Sequence, residues 1–214
     1  MLVEDNSGDT RGILERLLDI KEYDWDIETV DTPERALNIC KQKDFDLVVT
    51  DLHFKDHNGE IKDGEELLIK LKKLDRNFKI IVYSMLNQPG ILDFIINSLK
   101  INAYIIKGRK SLEELAMCLG LVFMGNEYIS KEALDILRKN KDAMLMDRMN
   151  RSILRHLYRG KKVNELPNLL KKDGFSSCSQ ASVEIRIKEM RDYFDVTSTI
   201  QLVAIAKERK VFIA

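Results

Sequence analysis

Two kinds of hydrophobic pattern alternate along the first two thirds of the chain. Short apolar runs rich in β-branched residues are typical of buried parallel strands, and the longer segments between them repeat apolar residues at helical spacing. The runs predicted as strands are residues 1–3, 25–30, 45–51, 79–84 and 103–107. Five strands that alternate with five helices predict a parallel sheet with helices on both faces, because crossover connections are right-handed. The first run is short for a central strand, which leaves open whether residues precede it.

A different pattern follows a polar break at residues 139–142, the best candidate for a domain boundary. Four short amphipathic segments come after it. Polar residues stand where helix caps are expected, with Asp147 before the first segment and Ser179 before the third. Pro167 is tolerated because it falls in the first turn of the second segment. This pattern predicts a small all-α module.

The charge of the chain divides at nearly the same place. The net charge is zero, but residues 1–141 carry 21 basic and 26 acidic side chains, whereas residues 142–214 carry 14 basic and 9 acidic ones. An acidic first part and a basic last part indicate two modules with different partners, and the basic one is suited to nucleic acid. Chance variation of surface charge is the alternative.

Several classes of protein are excluded by composition. No apolar run approaches the length of about 20 residues that a membrane-spanning helix needs, and the N-terminus has no secretory pattern. We therefore expect a cytoplasmic protein without membrane contact. The three cysteines are widely spaced and form no CxxC pair, and the three histidines do not cluster with them, so a zinc site is not expected.

Polar side chains end four of the predicted strands: Glu4 and Asp5, Asp51, Ser84, and Lys107. The carboxyl ends of parallel strands share one edge of a sheet, so these side chains are expected to converge. Three carboxylates repel one another unless a divalent cation joins them, and oxygen ligands of this kind suit Mg²⁺. An ammonium and a hydroxyl can hold phosphoryl oxygens. Together these groups are suited to forming an acyl phosphate on Asp51.

These motifs resemble the receiver domains of bacterial two-component response regulators over about residues 1–124. Val3-Glu4-Asp5-Asn6 resembles the acidic pair of that family, and Val49-Thr50-Asp51-Leu52 resembles its phosphoacceptor strand. The resemblance implies a doubly wound, five-stranded, flavodoxin-like α/β domain that is phosphorylated on Asp51. It also implies an Mg²⁺ ion held by Glu4, Asp5, Asp51 and the backbone carbonyl of His53.

The resemblance further assigns a switch and a partner. Ser84 corresponds to the switch hydroxyl, Lys107 to the invariant lysine, and Tyr104 to the aromatic residue that turns inward with the hydroxyl. A sensor histidine kinase would be the phosphodonor. The domain would be a phosphoacceptor with at most slow self-dephosphorylation, and not an enzyme in the ordinary sense.

Three positions depart from the receiver pattern. The loop after Asp51 reaches its Asp63-Gly64 helix start later than usual, Met85 follows the switch hydroxyl, and Gly108 follows the lysine where most receivers have proline. The long loop at residues 84–89, together with Lys107-Gly108, looks most like the capsule-synthesis (Rcs-type) regulators.

The last part, residues 146–214, resembles the helix-turn-helix effector domain of LuxR-type regulators, with residues 125–145 as a helix-containing linker. Ser179-x-x-Ser182-Val183-Glu184-Ile185-Arg186 falls in the register of that family's recognition helix. The resemblance implies that Ile185 and Lys188 enter the major groove, and that Arg186 and Arg191 contact phosphates. Residues 171–176 resemble an insertion whose effect on DNA binding stays open.

The sequence therefore favours a phosphorylation-controlled transcription regulator that binds double-stranded DNA as a homodimer. One alternative is a signalling adaptor with a receiver domain whose last domain binds a protein, which the mixed charge of the recognition helix favours. A second is a phosphohydrolase that works through an acyl phosphate. Such an enzyme needs a second carboxylate two residues after Asp51, and that place holds His53.

Overall fold

The structure is a computed structural model that describes residues 1–54, 59–61, 63–139, 147–176, 178–209 and 211–212. Most of the predicted polar break and the end of the predicted linker lie outside the described residues. The chain folds as two compact units. One comprises Met1–Asn87 and Ile95–Ile136, and the other comprises Gln88–Phe94 and Leu137–Ala214.

The described elements in chain order are β1 (Leu2–Val3), α1 (Ser7–Leu18), β2 (Thr29–Val30), α2 (Pro33–Gln42), β3 (Leu47–Thr50), α3 (Gly64–Lys72), β4 (Lys79–Ser84), α4 (Pro89–Asp93), a π-helical turn (Phe94–Ser98), β5 (Ala103–Ile106), α5 (Ser111–Phe123), β6 (Tyr128–Ile129), α6 (Lys131–Lys139), α7 (Arg148–Tyr158), a 3₁₀ turn (Val163–Glu165), α8 (Leu166–Lys172), α9 (Gln180–Tyr193) and α10 (Thr199–Glu208). None of the described helices is long and apolar enough to cross a membrane.

The first unit is built on a parallel sheet with the strand order β2-β1-β3-β4-β5-β6. Its central strands β3 and β4 are buried except at Lys79, as their continuous apolar runs predicted. The predicted α/β fold class is confirmed, but the sheet has six strands and not five. The additional strand, β6, pairs with β5 through Ala103↔Tyr128 and Tyr104↔Ile129. With two residues it is too short to produce a periodic pattern.

The second strand is shorter than its sequence pattern predicted. Of residues 25–30, only Thr29 and Val30 form the strand, in register with Leu2 and Val3 of β1, and the Glu28 carbonyl accepts from the Leu2 N–H at 2.8 Å. Trp25 packs instead against the Tyr23 ring at 5.3 Å, and its indole N–H donates to the Ile20 carbonyl. The alternating pattern of this segment thus reflects an aromatic cluster beside the sheet.

The loop after β3 approaches α3 very closely at Gly64. A Cβ at this position would lie 2.4 Å from the Leu52 Cα and 2.6 Å from the Asp51 carbonyl oxygen. Only glycine permits that approach. The Gly64 N–H donates to the Leu52 carbonyl, and the Asp63 side chain caps α3 by accepting from the Glu66 N–H. The backbone that follows Asp51 is therefore held directly against the start of α3.

The second unit contains helices α7 to α10 around one apolar core, in agreement with the predicted all-α module. Asp147, Ser179 and Ser198 accept the capping hydrogen bonds of α7, α9 and α10. The fully buried core side chains include Ile153, Leu154, Leu166, Leu170, Val183, Met190 and Leu202. Helices α8 and α9 and the turn between them form the helix-turn-helix arrangement.

The predicted insertion at residues 171–176 is tied to α7 through Asp173. Its Oδ2 accepts from Ser152 Oγ at 2.6 Å and lies 2.8 Å from His156 Nε2. Its backbone carbonyl accepts from Arg148 Nη2 at 2.9 Å. Ser152 and His156 are both buried. The turn is thus anchored in the interior of this unit by three side chains of one helix.

Candidate functional site

Asp51 lies directly after β3, at the carboxyl edge of the sheet, and is 6% exposed. One carboxylate oxygen, Oδ1, accepts from the backbone N–H of Leu52 at 2.5 Å and of His53 at 3.1 Å. It also accepts from Ser84 Oγ at 2.5 Å. These donors hold the carboxylate in one orientation at the strand end, where the sequence predicted it.

Lys107 follows β5 and holds three carboxylates. Its Nζ lies 2.7 Å from Glu4 Oε2, from Asp9 Oδ2 and from Asp51 Oδ2. Burial by itself lowers the pKa of Lys107, but the charge of Asp51 and the hydrogen bonds to the three carboxylates outweigh burial and raise the pKa above its usual value. The ammonium is therefore charged at neutral pH.

Glu4 is the most deeply buried acid of the three. Burial raises its pKa, and the nearby Asp51 charge acts in the same direction, whereas the contact with Lys107 opposes both. Its second oxygen accepts from the Asn6 N–H at 3.1 Å. Three carboxylates around one ammonium leave an excess of negative charge at this edge, because one positive charge cannot balance three negative ones.

Ser84 and Tyr104 meet the same loop after β4. The Tyr104 hydroxyl donates to the Leu86 carbonyl at 2.7 Å, and the Leu86 N–H donates to Ser84 Oγ at 3.3 Å. Tyr104 is fully buried, and burial raises the pKa of its phenol. A continuous path of hydrogen bonds thus connects Asp51, Ser84, Leu86 and Tyr104.

The other predicted metal ligands are Asp5 and the His53 carbonyl. Asp5 is half-buried and lines a groove with Thr10 and Arg11. In the described part of the chain, no three His, Cys, Asp or Glu side chains are grouped as metal ligands. The chemistry of this edge nevertheless fits a hard divalent cation, since its donors are carboxylate oxygens and their negative charge exceeds that of Lys107.

Asp9 contacts Lys107 although no sequence pattern predicted it at this site. The missed signal is the helix cap at the sheet edge, where the Asn6 side chain accepts from the N–H groups of Gly8 and Asp9. An acid in the first turn of a helix that begins at the strand ends can reach the site from outside the sheet. Strand patterns do not indicate such a residue.

The predicted DNA-contacting residues lie on α9 in two different environments. Ile185 is 58% exposed, and Lys188 is exposed beside it. The Arg186 side chain instead donates to Asp147 at 2.8 Å and to Asn150 at 2.9 Å. Arg191 donates to the Thr197 carbonyl at 3.1 Å. Two of the four residues therefore face outward, whereas the two arginines hold neighbouring segments of the same unit.

The sequence of residues 1–116 matches the model of a known family, described as the response regulator receiver domain. This match covers more than half of the chain. The chain belongs to the response-regulator receiver-domain family. No curated protein matches the chain.

Solved structures share the architecture of the receiver domain and of the second unit. The RcsB response regulator of Salmonella typhimurium is 19% identical, with 97% of each chain covered and a TM-score of 0.62. A two-component response regulator RcsB–DNA complex is 21% identical, with 95% of this chain and 94% of that chain covered and a TM-score of 0.60. The isolated RcsB receiver of Salmonella enterica serovar Typhimurium, with the phosphomimetic BeF₃⁻, is 22% identical over 64% of this chain and 95% of that chain, with a TM-score of 0.56. At these identities the likeness establishes the fold.

Proposed function

We propose that this protein is a response regulator that accepts a phosphoryl group on Asp51 and regulates transcription by binding double-stranded DNA as a homodimer. The observation that carries the proposal is the set of groups around Asp51. Its two carboxylate oxygens accept from Ser84 Oγ and from Lys107 Nζ, at 2.5 Å and 2.7 Å. A hydroxyl and an ammonium so placed can hold the oxygens of a phosphoryl group bonded to this carboxylate.

The chemistry is the transfer of a phosphoryl group from a sensor histidine kinase or a small phosphodonor. A carboxylate oxygen of Asp51 bonds to phosphorus while the bond from phosphorus to the donor atom breaks, and the donor leaves with that electron pair. Lys107 meets the charge on the phosphoryl oxygens, and Ser84 donates to one of them. Self-dephosphorylation would be the slow attack of water on the same phosphorus atom.

We further propose that Mg²⁺ binds at this edge through Glu4, Asp5, Asp51 and the His53 carbonyl. Such an ion would neutralise the negative charge of the acids and of an arriving phosphoryl group. The excess of carboxylates over ammonium groups at the site supports this proposal.

The hydrogen-bond path from Asp51 to Tyr104 supports a switch. A phosphoryl group on Asp51 changes the position of the acceptor that Ser84 uses, and Leu86 joins Ser84 to Tyr104 through backbone hydrogen bonds. The loop after β4 and the surface around β4 and β5 would then change together. A surface that differs between the two states can favour dimerisation in one of them.

DNA binding by the last domain is supported by three features. The segment of residues 142–214 has a net positive charge, α9 exposes Ile185 and Lys188, and proteins of the same fold are described in complexes with DNA. We assign residues 1–124 to the receiver, 125–145 to the linker and 146–214 to the DNA-binding domain. Arg186 and Arg191 stay candidate phosphate contacts, and they would have to exchange their present partners for phosphate.

A signalling adaptor is the second candidate. Glu184, Glu189 and Asp192 are exposed on α9 beside Lys188, which weakens the attraction of this helix for DNA. A protein partner would tolerate such a mixed surface. The salt dependence of binding distinguishes the two, because phosphate contacts release counterions and lose affinity steeply as salt rises.

The first test is the intact mass of the full chain after incubation with acetyl phosphate and Mg²⁺, compared with Asp51→Asn. We expect one phosphate adduct on the wild type and none on the variant. On the same samples, gel filtration tests dimerisation, and binding to duplex DNA at increasing salt concentration tests DNA recognition by the last domain. Absence of an adduct in a folded wild-type sample would refute phosphorylation of Asp51. Affinity for DNA that does not change with salt would favour the adaptor.

A further inference from the structure

One partner of Lys107 has no part in the chemistry proposed above. Asp9 Oδ2 lies 2.7 Å from Lys107 Nζ, as close as the oxygens of Glu4 and Asp51. An ammonium group has three N–H donors, and the three carboxylates match that number. Asp9 therefore occupies a donor that could otherwise reach a phosphoryl oxygen.

Asp9 differs from the other two acids in its position and exposure. Its side chain is 42% exposed, whereas those of Glu4 and Asp51 are 1% and 7% exposed. It belongs to the first turn of α1, whose backbone is held by the cap at Asn6. The carboxylate is thus fixed beside Lys107 by the helix but remains in contact with solvent, so it can lose this partner at a lower cost than a buried acid.

We propose that Asp9 is a positioning residue that slows the phosphorylation of Asp51 by retaining Lys107. This inference rests on the proposed phosphoacceptor function. The Asp9 carboxylate neutralises part of the charge that Lys107 would present to the phosphodonor.

The effect falls on a defined step of the reaction with acetyl phosphate. An oxygen of Asp51 bonds to phosphorus, the bond from phosphorus to the acetate oxygen breaks, and acetate leaves with the electron pair. Lys107 must turn its N–H donors toward the phosphoryl oxygens while this happens. Its contact with Asp9 opposes that movement and leaves the attacking carboxylate unchanged.

The test measures the initial rate of adduct formation on the full chain, at fixed Mg²⁺, by intact mass over a range of acetyl phosphate concentrations. Asp9→Asn and Asp9→Ala should both raise the second-order rate constant, by about threefold to tenfold for a half-exposed ion pair. Asn keeps an acceptor oxygen and loses the charge. A rise in both variants therefore assigns the effect to the charge of Asp9.

Glu15→Gln is the matched control, because Glu15 is an exposed acid on the same helix. Its rate should stay within about twofold of the wild type, since exposed charges are well screened. The rise in the Asp9 variants should persist in about 0.5 M NaCl, because contacting, partly buried pairs are screened less than distant charges.

Three results would overturn the inference. A rate that is unchanged or lower in both Asp9 variants would mean that Asp9 does not restrain Lys107. An equal rise in Glu15→Gln, or a rise that disappears in salt, would indicate a general field and not a contact. If the wild type and all variants form no adduct, the proposed function fails as well, whereas an adduct with unaltered rates rejects this inference alone.

Discussion

At the scale of single residues, the site depends on side chains whose positions are set by the backbone beneath them. Asp51 is oriented by the N–H groups of Leu52 and His53. Those two residues belong to a loop that Gly64 allows to lie directly against α3. The geometry of the proposed phosphoacceptor site therefore depends on Gly64, a residue that has no side chain.

Gly64→Ala should destabilise the first unit. The added Cβ would collide with backbone atoms of Leu52 and Asp51, which cannot rotate away, and overpacking of this kind costs about 1–3 kcal/mol. The single tryptophan, Trp25, lies in this unit and reports its unfolding in urea by fluorescence.

Gly120→Ala is the matched control for this substitution. Gly120 lies within α5, and a Cβ there meets no atom within 4 Å. Since alanine favours helix, this variant should gain up to about 1 kcal/mol. Equal urea midpoints for the two variants would show that the close approach at Gly64 does not limit stability.

At the scale of elements, side-chain hydrogen bonds join a turn of the second unit to one of its helices. In the second unit, Asp173 connects the turn between α8 and α9 to α7 through Ser152, His156 and Arg148. The start of α9 follows this turn. The position of the proposed DNA-contacting helix therefore depends on the Asp173 carboxylate, which belongs to the segment predicted as an insertion.

Asp173→Ala should weaken the second unit by about 1–3 kcal/mol, because it leaves the buried Ser152 and His156 side chains without their acceptor. Hydrogen exchange in α7 and α8 should become faster, while exchange in the central strands of the sheet stays as in the wild type. Asp192→Ala, which removes an exposed acid from α9, is the control and should change neither. Unaltered protection in Asp173→Ala would mean that the anchor is not needed.

At the scale of the whole molecule, stability is expected to fall in alkaline solution because thiols are buried. Burial raises the pKa of Cys118 to about 12 and that of Cys40 to about 11, from about 9. Above about pH 9, the two thiols ionise in the unfolded chain but remain neutral in the folded chain. Their contribution is therefore complete below pH 9 and is lost as the pH rises toward 11 or 12.

The free energy of unfolding should decrease between about pH 8 and pH 10.5, with Cys118 responsible for roughly 1–2 kcal/mol of the loss. Urea titrations of the wild type and Cys118→Ala at both pH values provide the measurement. The cavity made by the substitution lowers stability equally at both values, so the comparison concerns the difference between them. A pH-dependent loss of the same size in the variant would exclude Cys118 as a cause.

Local sequence patterns were sufficient to predict the elements with strong periodicity and the chemistry at their ends. Buried strands were recognisable from continuous apolar runs, and parallel pairing of those strands predicted that Glu4, Asp51, Ser84 and Lys107 lie at one edge. Helix caps such as Asp147 and Ser179 were equally local signals, since a cap depends only on residues within one turn.

Features that depend on distant partners could be seen only in the folded chain. The two-residue β6 exists because β5 offers it hydrogen bonds, and only the pairing with β1 shows that β2 is limited to Thr29 and Val30. Asp9 contacts Lys107, which is 98 positions away in the sequence, and Asp173 contacts side chains of α7 that are 17 to 25 positions away. Periodicity and capping act over a few residues, and they contain no information about which distant charge a side chain will meet.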